Sequence, residues 1–150
     1  LLETLIDEFE DTYKYIKNET ELGLFDIVNY ENFMKKIEKD KHSTVQSILK
    51  MKERGLSIAA VGAAARSNTL LNYYKLDSSV IDFITDSSEH KIGKYTPGSC
   101  IPILDDVALR ERNPDVAIIL SWNIGKFLIE KIQGINPNME VITIGGKELL

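Results

Sequence analysis

The chain has 150 residues, of which 43% are hydrophobic and 27% charged, with a formal net charge of -5. That length and balance suit one compact domain that buries roughly two-thirds of the surface its unfolded chain exposes. No extended run of Lys or Arg goes uninterrupted by acids, which argues against nucleic acid and anionic membrane as partners.

Cys100 is the sole cysteine, and His42 and His90 are the only histidines. An intrachain disulfide and a Cys/His zinc site of ordinary spacing are thereby excluded, and a reducing, cytoplasmic setting is expected. Apolar stretches such as Val116 to Leu120 fall far short of the ~20 residues that cross a bilayer. The N-terminus alternates acids with apolar residues rather than showing a signal peptide. Because the sequence opens mid-pattern at Leu1, we expect it to be a piece of a longer protein.

In chain order, Leu2, Leu5, Ile6, Phe9, Tyr13 and Ile16 recur at the spacing of an amphipathic helix. Gly23 interrupts it. Asn29 is the expected N-cap of a second helix, along which Tyr30, Phe33, Met34, Ile37, Val45, Ile48 and Leu49 line one side. Lys50, Lys52 and Arg54 complement the C-terminal dipole of that helix, and Gly55 ends it. Five short apolar runs follow, at Ser57 to Val61, Val80 to Thr85, Cys100 to Ile103, Val116 to Leu120 and Val141 to Ile144. Helical patterns separate most of them, marked by Leu70, Leu71 and Tyr74, by Val107 and Leu109, and by Phe127, Leu128 and Ile132. The polar stretch from Ser87 to Gly98 reads as a long loop.

Near-continuous apolar strands that alternate with helices imply a parallel sheet covered on both faces. The predicted fold is α/β: a Rossmann-like three-layer unit with a mainly parallel five-stranded sheet over 56–150. Two amphipathic helices over 1–55 form a helical lead-in packing on it.

Ligands of such sheets bind outside the carboxyl ends of the strands, where strand order reverses. Those ends carry Gly62, Ala63, Ala64, Ala65, Arg66, Ser67, Asn68 and Thr69; then Thr85 and Asp86; then Ser121, Trp122 and Asn123; then Gly145, Gly146 and Lys147. At the first end, small side chains leave the amides of a helix N-terminus open to a phosphate or pyrophosphate, and Arg66 adds a cation. Close helix–strand packing with a solvated Arg66 explains the same residues, and the stretch lacks the later glycines of a dinucleotide fingerprint. Asp86 stands where an acid meets a ribose, or else caps the Asp86-Ser87-Ser88 turn. Trp122 either stacks on a base or roofs the core; Asn123 either reads a ligand or caps a helix. His90 reads as a solvated loop residue, His42 as a helix residue among charges, and Cys100 as a buried small hydrophobe. No nucleophile elbow, Ser-His-Asp order or HExxH is present, so no catalytic residue is assigned.

Several of these stretches recur together. The run Gly62-Ala63-Ala64-Ala65-Arg66-Ser67-Asn68-Thr69-Leu70-Leu71-Asn72-Tyr73 is followed by Ile81-Asp82-Phe83 with Asp86, and by Lys91-Ile92-Gly93-Lys94-Tyr95-Thr96-Pro97-Gly98 with Ile101-Pro102-Ile103. Ser121-Trp122-Asn123 and Gly145-Gly146-Lys147 complete the set. In order and spacing, from Gly62 to the end, the chain resembles the C-terminal domain of the S-adenosylmethionine-dependent sugar C-methyltransferases, and its two leading helices resemble that family's link from the methyltransferase domain. The resemblance implies a parent enzyme that methylates a carbon of a nucleotide-linked keto-sugar through an enolate that attacks the sulfonium methyl. It further implies an N-terminal zinc-binding part and a central methyltransferase domain, with substrate lodged between that domain and this one. S-adenosylmethionine and zinc are expected in those other parts and not here.

By resemblance, Gly62 to Thr69 form the phosphate-facing turn, Asp86 and Tyr95 are sugar or nucleoside contacts, and Trp122 with Asn123 lie across the crevice. Ala64, Arg66 and Ser67 replace the proline, lysine and glycine common at those positions, and Arg exchanges a point charge for a planar fork. The expected function is substrate binding for that reaction, with the nucleotide-sugar and the parent's methyltransferase domain as partners. The rival readings are a stand-alone Rossmann-like nucleotide- or CoA-binding regulatory module, and a structural domain whose helices mediate assembly.

Overall fold

The computed structural model describes residues 2–144, with side chains from residue 9 onward. Leu2, Leu5 and Ile6 as side chains, and Gly145, Gly146 and Lys147 altogether, lie outside the described residues. The chain divides into two units, Leu1–His42 and Ser43–Leu150.

The first unit holds α1 (Leu2–Glu21) and the opening of α2 (Ile27–Glu53). The turn between them needs Gly23, whose φ is +72° and whose missing Cβ would fall 2.2 Å from Asn29 Nδ2. Asn29 is not the N-cap that the sequence led us to expect. It lies inside α2 and its Nδ2 donates back to the Gly23 carbonyl (3.0 Å), while Asp26, just before the helix, accepts the Val28 amide at 3.0 Å. An acceptor is needed two residues ahead of the free amide, and Asp26 supplies it earlier in the chain. The α1 stripe forms as a helix, with Phe9, Tyr13 and Ile16 exposed.

The second unit is built on five parallel strands in the order β3-β2-β1-β4-β5. They are β1 (Ile58–Val61), β2 (Phe83–Thr85), β3 (Ile103–Leu104), β4 (Val116–Ile119) and β5 (Glu140–Thr143). Three further helices, α3 (Ala65–Tyr74), α4 (Val107–Arg112) and α5 (Gly125–Ile135), lie between strands. Alternate strand residues face opposite sides. Ile58, Ala60, Ile84 and Ile118 pack with Leu71 and Tyr74 of α3 and with Ile48 near the end of α2. Ala59, Val61, Ala117 and Ile119 pack with Leu109 of α4 and with Leu128 and Ile132 of α5. Burying a side chain such as Ile118, wholly shielded from solvent, stabilises the fold by roughly 1.5–3 kcal/mol. The three-layer, all-parallel arrangement is the Rossmann-like one read from the sequence.

Two polar clamps fix where the strands begin. Asp115 Oδ2 accepts the Ser57 amide (2.8 Å) and the Ser57 hydroxyl (2.7 Å), and its own amide donates to Ser57 Oγ at 3.0 Å. Asp82 accepts the Ile58 amide (2.8 Å) on one oxygen and the Lys52 ammonium (2.6 Å) on the other. Asp82 thus ties the start of β1 to the end of α2.

The segment between β2 and β3 carries no helix. Its backbone pairs instead with the approach to β3: the Gly93 amide donates to the Ile103 carbonyl (2.9 Å), the Ile103 amide to that of Lys94 (2.8 Å), and Tyr95 and Pro102 form an antiparallel bridge. Cys100 is exposed in a turn here, not buried in a strand as expected. The buried Thr96 accepts the Ile101 amide on its hydroxyl (2.9 Å), which tightens the bend and forces Cys100 into the left-handed region (φ +53°) with its thiol outward. Among the described residues no helix is long and apolar enough to cross a membrane.

Hydrogen bonds from Ser57 hold the exposed Asp115 carboxyl below its ordinary value of 3.8. A depressed carboxyl pKa contributes stability that is complete above the unfolded value and is lost as pH falls through the folded one. Wild type should therefore lose melting temperature between about pH 5 and 2, whereas Asp115→Asn should start lower at pH 7 and fall less across that window. Circular dichroism melts across the range decide it; two parallel curves would contradict the clamp.

Candidate functional site

Neighbouring strands β1 and β4 send their helices to opposite faces, α3 to one and α5 to the other. Among the described residues nothing roofs the seam between their carboxyl ends, and a cleft of about 330 Å³ opens there.

The turn from β1 to α3 forms one wall. Gly62 adopts φ +92°, and a Cβ on it would sit 2.3 Å from Ser121 Oγ and 2.9 Å from Ser121 Cβ. Only glycine lets the β1 end pass so close to the β4 end in this left-handed conformation. The Gly62 amide donates to the Thr85 carbonyl at 2.8 Å. Ala64, extended at φ -81° and ψ 165°, is the N-cap of α3 and offers no side-chain hydrogen bond. The first-turn amides are therefore open to an external acceptor, and the helix dipole adds partial positive charge at the same point.

Two hydroxyls on this wall lack partners. Ser67 is 1% exposed and Thr85 0%, and neither Ser67 Oγ nor Thr85 Oγ1 makes a hydrogen bond within the described residues. An unmet buried polar group costs about 1–3 kcal/mol, so each has donor and acceptor capacity in reserve for whatever enters.

Arg66 projects over the mouth. Its guanidinium carbon lies 5.7 Å from the centre of the Trp122 ring, within range of a cation–π contact, and it forms no ion pair among the described residues. The other charges lining the cleft are matched: Lys131 with Asp106, and Asp86 with Lys91 at 2.9 Å. Among the described residues that line the cleft, Arg66 is the charged side chain without an ion pair.

Of the residues singled out in the sequence, Gly62, Ala64, Arg66, Ser67, Asp86, Trp122 and Asn123 come together around this cleft. Asp86 Oδ1 accepts the Ser88 amide (2.9 Å), which makes it a turn cap, and the residue also lines the cleft. Trp122 does not roof the core; it is 38% exposed on a short 3-10 turn (Trp122–Ile124) where Asn123 sits inside rather than at the cap. Ala63, Ala65, Asn68 and Tyr95 instead line a second hollow, which shares Ala64 with the first. Tyr95 thus lines a different hollow from Asp86, Trp122 and Asn123. Thr69 lines neither, because one turn into α3 its side chain has rotated away, and its hydroxyl bonds back to the Ala65 carbonyl (3.4 Å).

Asp106 and Lys131 escaped the sequence reading, while Thr85 and Ser121 were placed at strand ends but given no role of their own. Thr85 left a trace, a polar residue closing a buried strand. Asp106 and Lys131 left none, since only the packing of α4 beside α5 unites them. Among the described residues no group of three or more His, Cys, Asp or Glu is placed to hold a metal ion.

Residues 7–143 match the family model described as C-methyltransferase C-terminal domain. One curated relative is the C-methyltransferase NovU of Streptomyces niveus, 26% identical over 115 residues that make up 77% of this chain and 27% of NovU. The chain thus spans little more than a quarter of the length of that relative.

Gly62→Ala should destabilise the domain by about 1–3 kcal/mol in urea titrations, through its left-handed φ and the clash with Ser121. Adding Ser121→Gly should recover the steric part and leave about 1 kcal/mol from the backbone. Wild-type stability in Gly62→Ala would refute the close approach of the two strand ends.

Proposed function

This chain belongs to the C-methyltransferase C-terminal domain family, and from that premise we propose that its cleft holds a nucleotide-linked keto-sugar for S-adenosylmethionine-dependent methylation at carbon. The observation that carries the proposal is the junction of β1 and α3: an uncapped helix end, two buried hydroxyls without partners, and an unpaired Arg66 converge on one opening. Amide dipoles, hydroxyl donors and a guanidinium fork together suit a diphosphate. Asp86, Ser87 and Asn123 on the same rim supply acceptors and donors suited to sugar hydroxyls.

The methyl donor fits this cleft poorly. Its sulfonium is a cation, and both the α3 dipole and Arg66 disfavour positive charge there. Nor do the described residues offer a zinc ligand set. We therefore assign both groups to other parts of the parent protein, whose methyltransferase domain is the proposed partner. This domain's own task is positioning: holding reacting atoms in line lowers a barrier by several kcal/mol.

Isothermal calorimetry with uridine, thymidine and guanosine diphosphate sugars tests the reading. Arg66→Ala should weaken the tightest of them about tenfold or more, as loss of a charge-assisted contact of roughly 1.5–3 kcal/mol requires. Equal affinity in both proteins would remove Arg66 from the site. Binding of coenzyme A with none of the nucleotide sugars would favour the regulatory-module reading instead.

A further inference from the structure

Arg66 and Trp122 reach the cleft from different strand ends, and the backbone fixes both. Arg66 stands in the first turn of α3 beside the buried Ser67. Trp122 opens the 3-10 turn after β4, where the Ile124 amide donates to the Ser121 carbonyl (3.1 Å) and the Gly125 amide to that of Trp122. The two strand ends are joined beneath them. The Leu120 amide donates to the Val61 carbonyl (3.2 Å), and Gly62 passes so close that a Cβ on it would sit 2.3 Å from Ser121 Oγ.

Between these anchored points the two side chains meet, with the Arg66 guanidinium carbon over the indole at 5.7 Å from its centre. No acid competes for that guanidinium from within the cleft. Asp86 and Asp106, the carboxylates among the lining residues, are engaged by Lys91 and Lys131. An exposed arginine samples many rotamers, and a ligand that recruits it has to offset the lost freedom. An aromatic face beneath the guanidinium narrows those rotamers in advance, and its attraction leaves the N–H donors of the fork free along their edge. An ammonium would gain less, being a compact charge with no plane to set against a ring.

We propose that Trp122 is a positioning residue: its ring holds the Arg66 guanidinium at the mouth of the cleft for a phosphate, rather than serving as a platform for a ring of the ligand. The inference rests on the diphosphate reading above and gives the indole a part in it that acts through Arg66. The close approach of the β1 and β4 ends at Gly62 and Ser121 then has a purpose beyond packing, since it sets the span that the guanidinium and the indole bridge.

Inorganic pyrophosphate separates the two roles of the indole, because it has no ring to stack. In titrations followed by the α3 amide signals in two-dimensional NMR, Trp122→Ala should weaken pyrophosphate binding about three- to fivefold, the scale of an exposed cation–π contact. Trp122→Phe keeps a ring and should stay within about twofold of wild type. In an Arg66→Ala background the same Trp122→Ala change should have no further effect. Since Trp122 is the sole tryptophan, its fluorescence reports the resting contact, and Arg66→Ala should shift its emission in the absence of ligand. Undiminished pyrophosphate affinity in Trp122→Ala, an equal loss in both backgrounds, or an unmoved emission would overturn the positioning role and leave the diphosphate site standing. Failure of the wild-type chain to bind pyrophosphate would overturn both.

Discussion

Two adjacent parallel strands whose crossovers depart to opposite faces cannot both be roofed at their carboxyl ends, and the functional architecture of this domain descends from that constraint. Here the strands are β1 and β4, paired along Ile58–Val61 and Val116–Ile119. With α3 on one face and α5 on the other, the seam is open at its carboxyl end among the described residues. The three central strands are wholly shielded: every residue of β1, β2 and β4 is buried. The scaffold is therefore rigid, and a side chain at the seam is held by a strand end or a helix start rather than by a free loop.

That rigidity makes it possible to hold groups in an unfavourable state. Two buried hydroxyls without partners, Ser67 Oγ and Thr85 Oγ1, together cost a few kcal/mol on the usual scale, a sizeable part of the roughly 5–15 kcal/mol by which a domain is stable. A first helical turn with no side-chain cap forgoes about 1 kcal/mol more. Both deficits fall on the rim of the same cleft, beside Arg66, which forms no ion pair among the described residues. With Asn68 Oδ1, one residue beyond Ser67, the two hydroxyls are the buried side-chain atoms without a partner among the described residues, and local stability conceded around one place is the pattern of a preorganised site. The clamps at the opposite ends of the strands show the contrast, since Asp82 engages both carboxylate oxygens and Asp115 takes two bonds on Oδ2 where β1 and β4 begin.

The fold was legible from the sequence because its signals are local. Short apolar runs of strand length, separated by helical spacing, located all five strands to within a few residues. Boundaries slipped where turn chemistry intervened: Val80 to Asp82 belong to the turn before β2, and Cys100 belongs to a bend organised by Thr96. The glycine–alanine turn, Asp86 and Trp122 were visible because strand-end positions follow from the strand assignment. Two things were not visible. The Lys131–Asp106 pair depends on how α4 and α5 pack, and the separation of Tyr95 from Trp122 depends on a loop replacing a crossover helix. Neither is encoded in residue spacing. Asn29 shows the same limit on a small scale, for residue type alone did not distinguish it from Asp26 as the cap.

The chain belongs to the C-methyltransferase C-terminal domain family, and the start of α3 is where its physical task is proposed to lie. Amide shift mapping by two-dimensional NMR, with UDP added to the labelled chain, addresses that task most directly. The largest perturbations should fall on the Ala65, Arg66 and Ser67 amides and on the Trp122 indole. Shifts confined to residues remote from the β1 and β4 ends, with those four signals unmoved, would mean that the open seam is not where this domain meets its ligand.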